Sequence, residues 1–238
     1  MEQQSLPVDV VPETAPPVSS FKGLFEVFYS PASWFEKLRS DPKVLIPYIV
    51  LAIFTAVVFF VIGDLVVKMQ MESPQMQERL QGQPLPAQAA EIMWYSTVVG
   101  GTIALLLAPL LAAALALFWG NVVFAGKASF KSLLSVMLYG ELIYAVGNLL
   151  VLPLVLAKDS LAVGLNLGIL AADRGLQDPL FVALSKVDLF IIWEIIVIGI
   201  GLAIIYGFPR NKGYKLSVLS MGLLTILGVA GAAIGSMF

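Results

Sequence analysis

Five runs of apolar residues, at 44–67, 94–119, 132–156, 187–207 and 216–237, alternate with short polar stretches. Each holds about 20 residues or more, the length a helix needs to cross the hydrocarbon core of a bilayer. A chain in lipid must satisfy its own backbone groups, which a helix does within one segment. The pattern therefore predicts an all-α polytopic membrane protein, a bundle of five transmembrane helices spread over 42–238. The fourth run shows the plan most clearly. Asp188 stands at its mouth, Glu194 lies inside it, and Tyr206-Gly207-Phe208-Pro209 stops it before a basic turn with Arg210, Lys212 and Lys215. Trp94 and Trp119 bound the second run where the two water interfaces are expected. Gly100 and Gly101 there let a neighbour approach closely. Gly231 and Gly235 in the last run form a GxxxG packing face, which makes a second copy of the chain a candidate partner.

Ahead of the first run, Phe21, Leu24, Phe25 and Phe28 recur at i, i+3, i+4 and i+7, one apolar stripe of a helix. Ser30-Pro31 supplies an N-cap and a first-turn proline for a second helix. That helix sets Trp34, Phe35 and Leu38 against Glu36, Lys37 and Arg39. Segment 21–41 is thus expected to form two short amphipathic juxtamembrane helices. On the membrane surface they turn Phe21, Leu24, Phe25, Phe28, Trp34 and Phe35 into the bilayer; the other arrangement packs them on the ends of the spans. Residues 1–20 are acidic and Pro-rich without an apolar core, and read as a disordered cytoplasmic tail rather than a signal peptide. The stretch 68–91 reads as an exposed loop with a helical start. Residues 161–172 are apolar but too short to span, and are either re-entrant or interfacial. Asp178-Pro179 opens a helix expected to run unbroken into the fourth span.

Composition sharpens this picture. Of 238 residues 59% are hydrophobic and 13% are charged, against roughly 25% charged in soluble domains, which leaves little room for a separate soluble domain. The chain has no Cys and no His. That removes disulfides, thiolate nucleophiles, imidazole bases and nearly all zinc and haem sites. The sequence shows neither a phosphate-binding Gly-rich loop nor a basic patch for nucleic acid. The reading is of a protein that is not an enzyme and takes no cofactor, no metal and no nucleic acid. Nine Lys and Arg fall with the N-terminal segment and the 2–3 and 4–5 turns, and five fall on the other side. The positive-inside rule then puts the N-terminus in the cytoplasm and the C-terminus outside.

The candidate chemistry lies in acids within the spans. Glu141, Tyr144 and Asn148 fall at i, i+3 and i+7, one stripe of the third span. Glu141 stands roughly 15 Å, and Glu194 roughly 19 Å, from the inner ends of their spans at 1.5 Å per residue. No Lys or Arg lies deep in a span to pair with them. A charge at the bilayer centre costs roughly 2.5–3.5 kcal/mol on insertion scales, so two neighbouring carboxyls are expected to share a proton. The functional reading is a polar track for a proton, a cation or a lipid headgroup. The plain reading is an acid and an amide that hold helices together. Asp64 and Asp188, near span ends, are expected to cap helices or meet water.

Four stretches carry a resemblance. Tyr29-Ser30-Pro31 with Trp34-Phe35, Leu38-Arg39 and Pro42 forms one. Gly126-Lys127-Ala128-Ser129-Phe130-Lys131 with Tyr139 forms another. Lys186-Val187-Asp188-Leu189-Phe190 with Trp193, and the basic turn from Gly207 to Lys215, complete the set. The chain resembles the Yip family of Ypt/Rab-interacting membrane proteins, in its bacterial type. The resemblance implies a five-span protein of the bacterial cytoplasmic membrane that binds other membrane proteins; in eukaryotic relatives these include small GTPases. The eukaryotic Asp-Leu-Tyr-Gly-Pro motif is missing, since Tyr139-Gly140-Glu141 has no Pro soon after it, so GTPase binding is not carried over. The function expected is that of a non-enzymatic scaffold acting through other membrane proteins or lipids. The alternative is a small transporter or ion or proton pathway using Glu141 and Glu194.

Overall fold

The computed structural model describes residues 19–81, 83–174 and 178–235, and the backbone alone at 74–75, 227–229 and 231–235. The expected tail therefore lies outside the described residues, apart from its last two positions, and so does the packing of Gly231 and Gly235. Among the described residues the chain is helical, with one isolated backbone bridge. The helices are α1 (Ser20–Tyr29), α2 (Pro31–Ser40), α3 (Leu45–Met71), α4 (Pro74–Leu80), α5 (Ala87–Tyr95), α6 (Gly101–Leu117), α7 (Phe130–Lys158), α8 (Pro179–Ser185), α9 (Leu189–Tyr206) and α10 (Arg210–Gly235). One π-helical segment, Ser96–Gly100, joins α5 to α6 and a second, Phe118–Val123, extends α6, making one continuous rod, Ala87–Val123. Among the described residues four helices are long and apolar enough to cross a membrane: α3, this rod, α7 and α9. The fifth apolar run forms α10, which packs along α9.

The 68–91 stretch is more ordered than a loop. Helix α3 continues through Lys68 to Met71, Pro74 opens α4, and the second rod begins at Ala87. Prolines at first helical positions lose no hydrogen bond, which is why a Pro-broken stretch still carries short helices.

Helix α7 is the centre of the bundle, in contact with α1, α2, α3, α6 and α9. Its antiparallel register with α9 is set by two small residues: Ile198 sits over Gly140, and Phe190 over Gly147. At one end of the bundle lie the two short turns. Asn121 exchanges hydrogen bonds with the backbone of Ala128, both at 3.2 Å. Ser129 caps α7 by accepting from Ser132 N–H. Gly207 ends α9 at φ 69°, a left-handed position suited to glycine. Phe208 then stacks on Tyr206, and Lys212 lies 3.9 Å above the Phe208 ring. We call this the turn end. The other, connection end carries the segment between α7 and α9.

Helices α1 and α2 do not lie across the turn end. They stand beside α9 and α7 as a hairpin. Trp34 and Phe35 are fully buried. Trp34 packs edge-on against Tyr139 with centroids 5.0 Å apart, and Phe35 lies against Gly201 beside Val136. Phe28 reaches Trp193 at 6.0 Å, roughly 20 Å along α9 from Tyr206. Tyr139 O–H donates to the Ser20 carbonyl at 3.2 Å. This corrects the expectation that Trp34 and Phe35 face the bilayer: both side chains are enclosed by protein. Hydrophobic periodicity identifies an apolar face but not what covers it. In α1 the buried face is Gly23, Glu26 and Val27. Leu24 and Phe28 are half-buried, while Phe21, Phe25 and Tyr29 are 64%, 71% and 72% exposed.

The connection end also departs from the expected single helix. Helix α8 stops at Ser185, and α9 restarts at Leu189. Asp188 makes the break: its carboxylate accepts from Phe190 N–H at 2.7 Å and Ile191 N–H at 3.2 Å, capping α9. Backbone bonds run from Leu167 N–H to the Val187 carbonyl and from Leu189 N–H to the Leu165 carbonyl. The stretch 161–174, with a 3-10 helix at Leu167–Arg174, therefore folds back onto the start of α9. Phe190 sits at the height of Gly147, so α9 begins roughly 16 Å short of the end of α7. The connection fills that gap.

Candidate functional site

The acids singled out in the sequence come from two helices that pack directly. Glu141 on α7 and Glu194 on α9 line one small cavity of about 20 Å3, closed by Met137, Ile198, Met221 and Pro109. The two side chains thus reach the same cavity from facing helices. Glu194 is 2% exposed, and its Oε1 has no hydrogen-bond partner.

One turn along α7, Glu141, Tyr144 and Asn148 line a second cavity of about 20 Å3 with Thr55 of α3. Tyr144 and Asn148 then line a third cavity of about 360 Å3 with Asn166, Ser185, Lys186 and Asp188. The i, i+3, i+7 stripe thus joins the acid pair to a polar recess at the connection end. Asp188 belongs to this recess, but its Oδ1 is committed to capping α9. Four further lining residues carry a signal in the sequence. Thr55 is the single Ser or Thr in the first apolar run. Asn166 is the single amide in the 161–172 stretch. Ser185 and Lys186 interrupt apolar sequence where the helix breaks.

A larger recess of about 670 Å3 opens at the surface between α3 and α5, lined by Asp64, Lys68, Glu91 and Trp94. It lies away from the acid pair, and Lys68 there forms an ion pair with Asp159 that ties the end of α3 to that of α7.

The N-terminal hairpin carries its own buried acid, also unweighed in the sequence. Glu26 accepts from Ser33 Oγ at 3.2 Å and forms an ion pair with Lys37. Burial opposes its charged form. The bonds from Lys37 and Ser33 and the charges of Lys37 and Lys22 outweigh that, so its pKa lies below the usual carboxylate value. The pair fastens α1 to α2 at the edge of the core formed by Val27, Trp34, Phe35 and Leu38.

No group of three or more Asp and Glu able to hold a metal ion occurs among the described residues.

Comparison with known proteins adds the family. The chain is 26% identical over 231 residues to "Membrane protein YknW" of Bacillus subtilis (strain 168), covering 90% of this chain and 91% of that protein. No solved structure matches it. The Yip1 domain matches residues 25–232, from the middle of α1 into the last turns of α10, so the match takes in the hairpin, the acid pair and the connection. The chain belongs to the Yip1 domain family of membrane proteins.

Proposed function

We propose that this protein is a non-enzymatic organiser of the membrane, working by lateral contact with other membrane proteins. The observation that carries the reading is the construction of the N-terminal hairpin. One side is fixed to the bundle by Trp34, Phe35 and the Glu26–Lys37 pair. The other side leaves Phe21, Phe25 and Tyr29 uncovered at i, i+4 and i+8, a continuous aromatic edge. A rigid element with a free aromatic edge is suited to holding a partner, because little side-chain freedom is lost on contact. A photo-activatable residue placed at Phe25 in living cells is expected to yield adducts with proteins of discrete mass. Adducts with lipid alone would overturn the reading.

In this account the chain crosses the bilayer five times, with α10 as the fifth span. The 1–20 tail lies in the cytoplasm and the C-terminus outside. The support is the bias of nine basic residues to the turn end and N-terminal segment against five elsewhere. Compartment reporters fused to the two termini of the full chain should report opposite sides. Both on one side would exclude an odd number of spans.

A further inference from the structure

We propose that Glu141 and Glu194, one partly and one fully buried, form a proton-binding pair inside the bundle that exchanges its proton with water at the connection end only. The inference stands apart from the organiser reading, which needs only the outer edge of α1. It rests on how three cavities join. Glu141 belongs to the first and second, and Tyr144 and Asn148 to the second and third. A cavity of about 20 Å3 has room for roughly one water molecule. Two orphaned polar atoms mark the ends of this path: Glu194 Oε1 at the pair, and Ser185 Oγ in the wide recess. Buried polar atoms without a protein partner are where ordered water binds.

Toward the turn end the path closes. Leu133, Val136, Leu138, Leu202 and Leu216 are fully buried below the pair. Four buried hydroxyls below and beside the pair are spent on backbone: Ser135 donates to the Lys43 carbonyl, Tyr139 to that of Ser20, Ser217 to that of Ile195 and Ser220 to that of Leu216. Trp34 Nε1 and Glu26 Oε2, in the hairpin, also lack partners, but they line none of the three cavities, so a proton at the pair meets polar-lined cavities on one side and apolar packing on the other.

The surroundings decide the ligand. Helices α6 and α10 present Ala108, Pro109, Met221 and Leu224 to the pair, and α3 presents Thr55 next to Glu141; none of these titrates. Helix α2, packed on α9, turns Phe35 toward it and keeps Lys37 for Glu26. Tyr144 on α7 stands one turn away, and Asp188 and Lys186 stand in the wide recess. With no cation at the pair, two ionised carboxylates would repel across the α7–α9 contact. One proton relieves this by bridging them as O–H···O⁻. To leave, that proton passes to a water beside Glu141, and an equivalent proton returns by the same route, so exchange leaves the charge of the pair unchanged.

The chain has no cysteine, so an introduced thiol is its single reactive one. In oriented proteoliposomes, Asn148→Cys is expected to react with a small, charged, impermeant thiosulfonate added at the connection end and not at the turn end. Met137→Cys, on the closed side of the pair, is expected to react from neither. Infrared spectra of the unmodified chain at neutral pH should show a protonated carboxyl stretch that shifts in D2O. The isosteric double variant Glu141→Gln/Glu194→Gln should lack it. Labelling of Asn148→Cys equally from both ends, or no labelling from the connection end, would overturn the one-sided path. Absence from the unmodified chain of a protonated carboxyl band would overturn the proton pair, and that measurement needs no variant to fold.

Discussion

Trp34→Ala is expected to cost about 3–5 kcal/mol of stability, the range for removing a large buried aromatic, and to free α1 from the bundle. The indole is fully buried. It meets Tyr139 edge-on and lies across Gly23 so closely that a Cβ there would fall 1.9 Å from the ring. No other side chain fills that space, so the vacancy cannot collapse without moving α1. The size of the loss also reports where the released hairpin goes. Apolar groups gain little from packing against protein instead of lipid. A loss at the top of the range therefore means that the freed helices enter water, and a small one means that they enter the bilayer. Denaturant unfolding in detergent micelles and in nanodiscs, read with protease susceptibility near Tyr29-Ser30, separates these outcomes. An unchanged midpoint with unchanged protease resistance would show that Trp34 is not an anchor.

Gly213→Ala should also destabilise the bundle, for a different reason. A methyl at Gly213 would sit 2.3 Å from the Gly199 carbonyl oxygen and 2.9 Å from the Ala203 nitrogen. These are backbone atoms of α9 and cannot turn aside, so the two helices must separate. Overpacking of this kind costs about 1–3 kcal/mol and sometimes more. Gly222 in the same helix provides the contrast, because nothing lies within 4 Å of an added Cβ there. Gly222→Ala should leave stability unchanged or raise it by up to about 1 kcal/mol through helix propensity. Thermal unfolding of both variants in one detergent tests the pair. Equal midpoints would mean that α9 and α10 do not approach as closely as described.

The spans were legible because a bilayer imposes a length, and α3, the Ala87–Val123 rod, α7 and α9 each answer it with one apolar run. What packs against what was not. In a membrane the outside of a bundle is as apolar as its inside, so a helix such as α7 shows no stripe that reveals its buried face. Trp34 and Phe35 looked like lipid-facing residues for that reason. The heights of Glu141 and Glu194 followed from rise per residue alone. Their meeting depended on Gly140 and Gly147 admitting Ile198 and Phe190, a shape match no periodicity expresses. The break before α9 was hidden in the same way. Only Ser185 and Lys186 interrupt the apolar sequence there, and the stop is fixed by the local cap that Asp188 places on α9 together with backbone bonds to the distant Leu165 and Leu167.

The hairpin also bears on how the protein is made. Its residues are synthesised well before their partners: Tyr139 follows Ser20 by 119 residues, and Gly201, against which Phe35 rests, comes later still. At roughly 5–20 residues per second the ribosome needs on the order of ten seconds or more to cover such a distance. Through that interval Trp34, Phe35 and Leu38 have no site to enter, while the first span already holds their carboxyl end at the membrane. Docking of the hairpin is thus a late step of assembly, after α7 and α9 have entered the bilayer. The nascent chain spends that wait with an unpaired aromatic segment beside the insertion machinery.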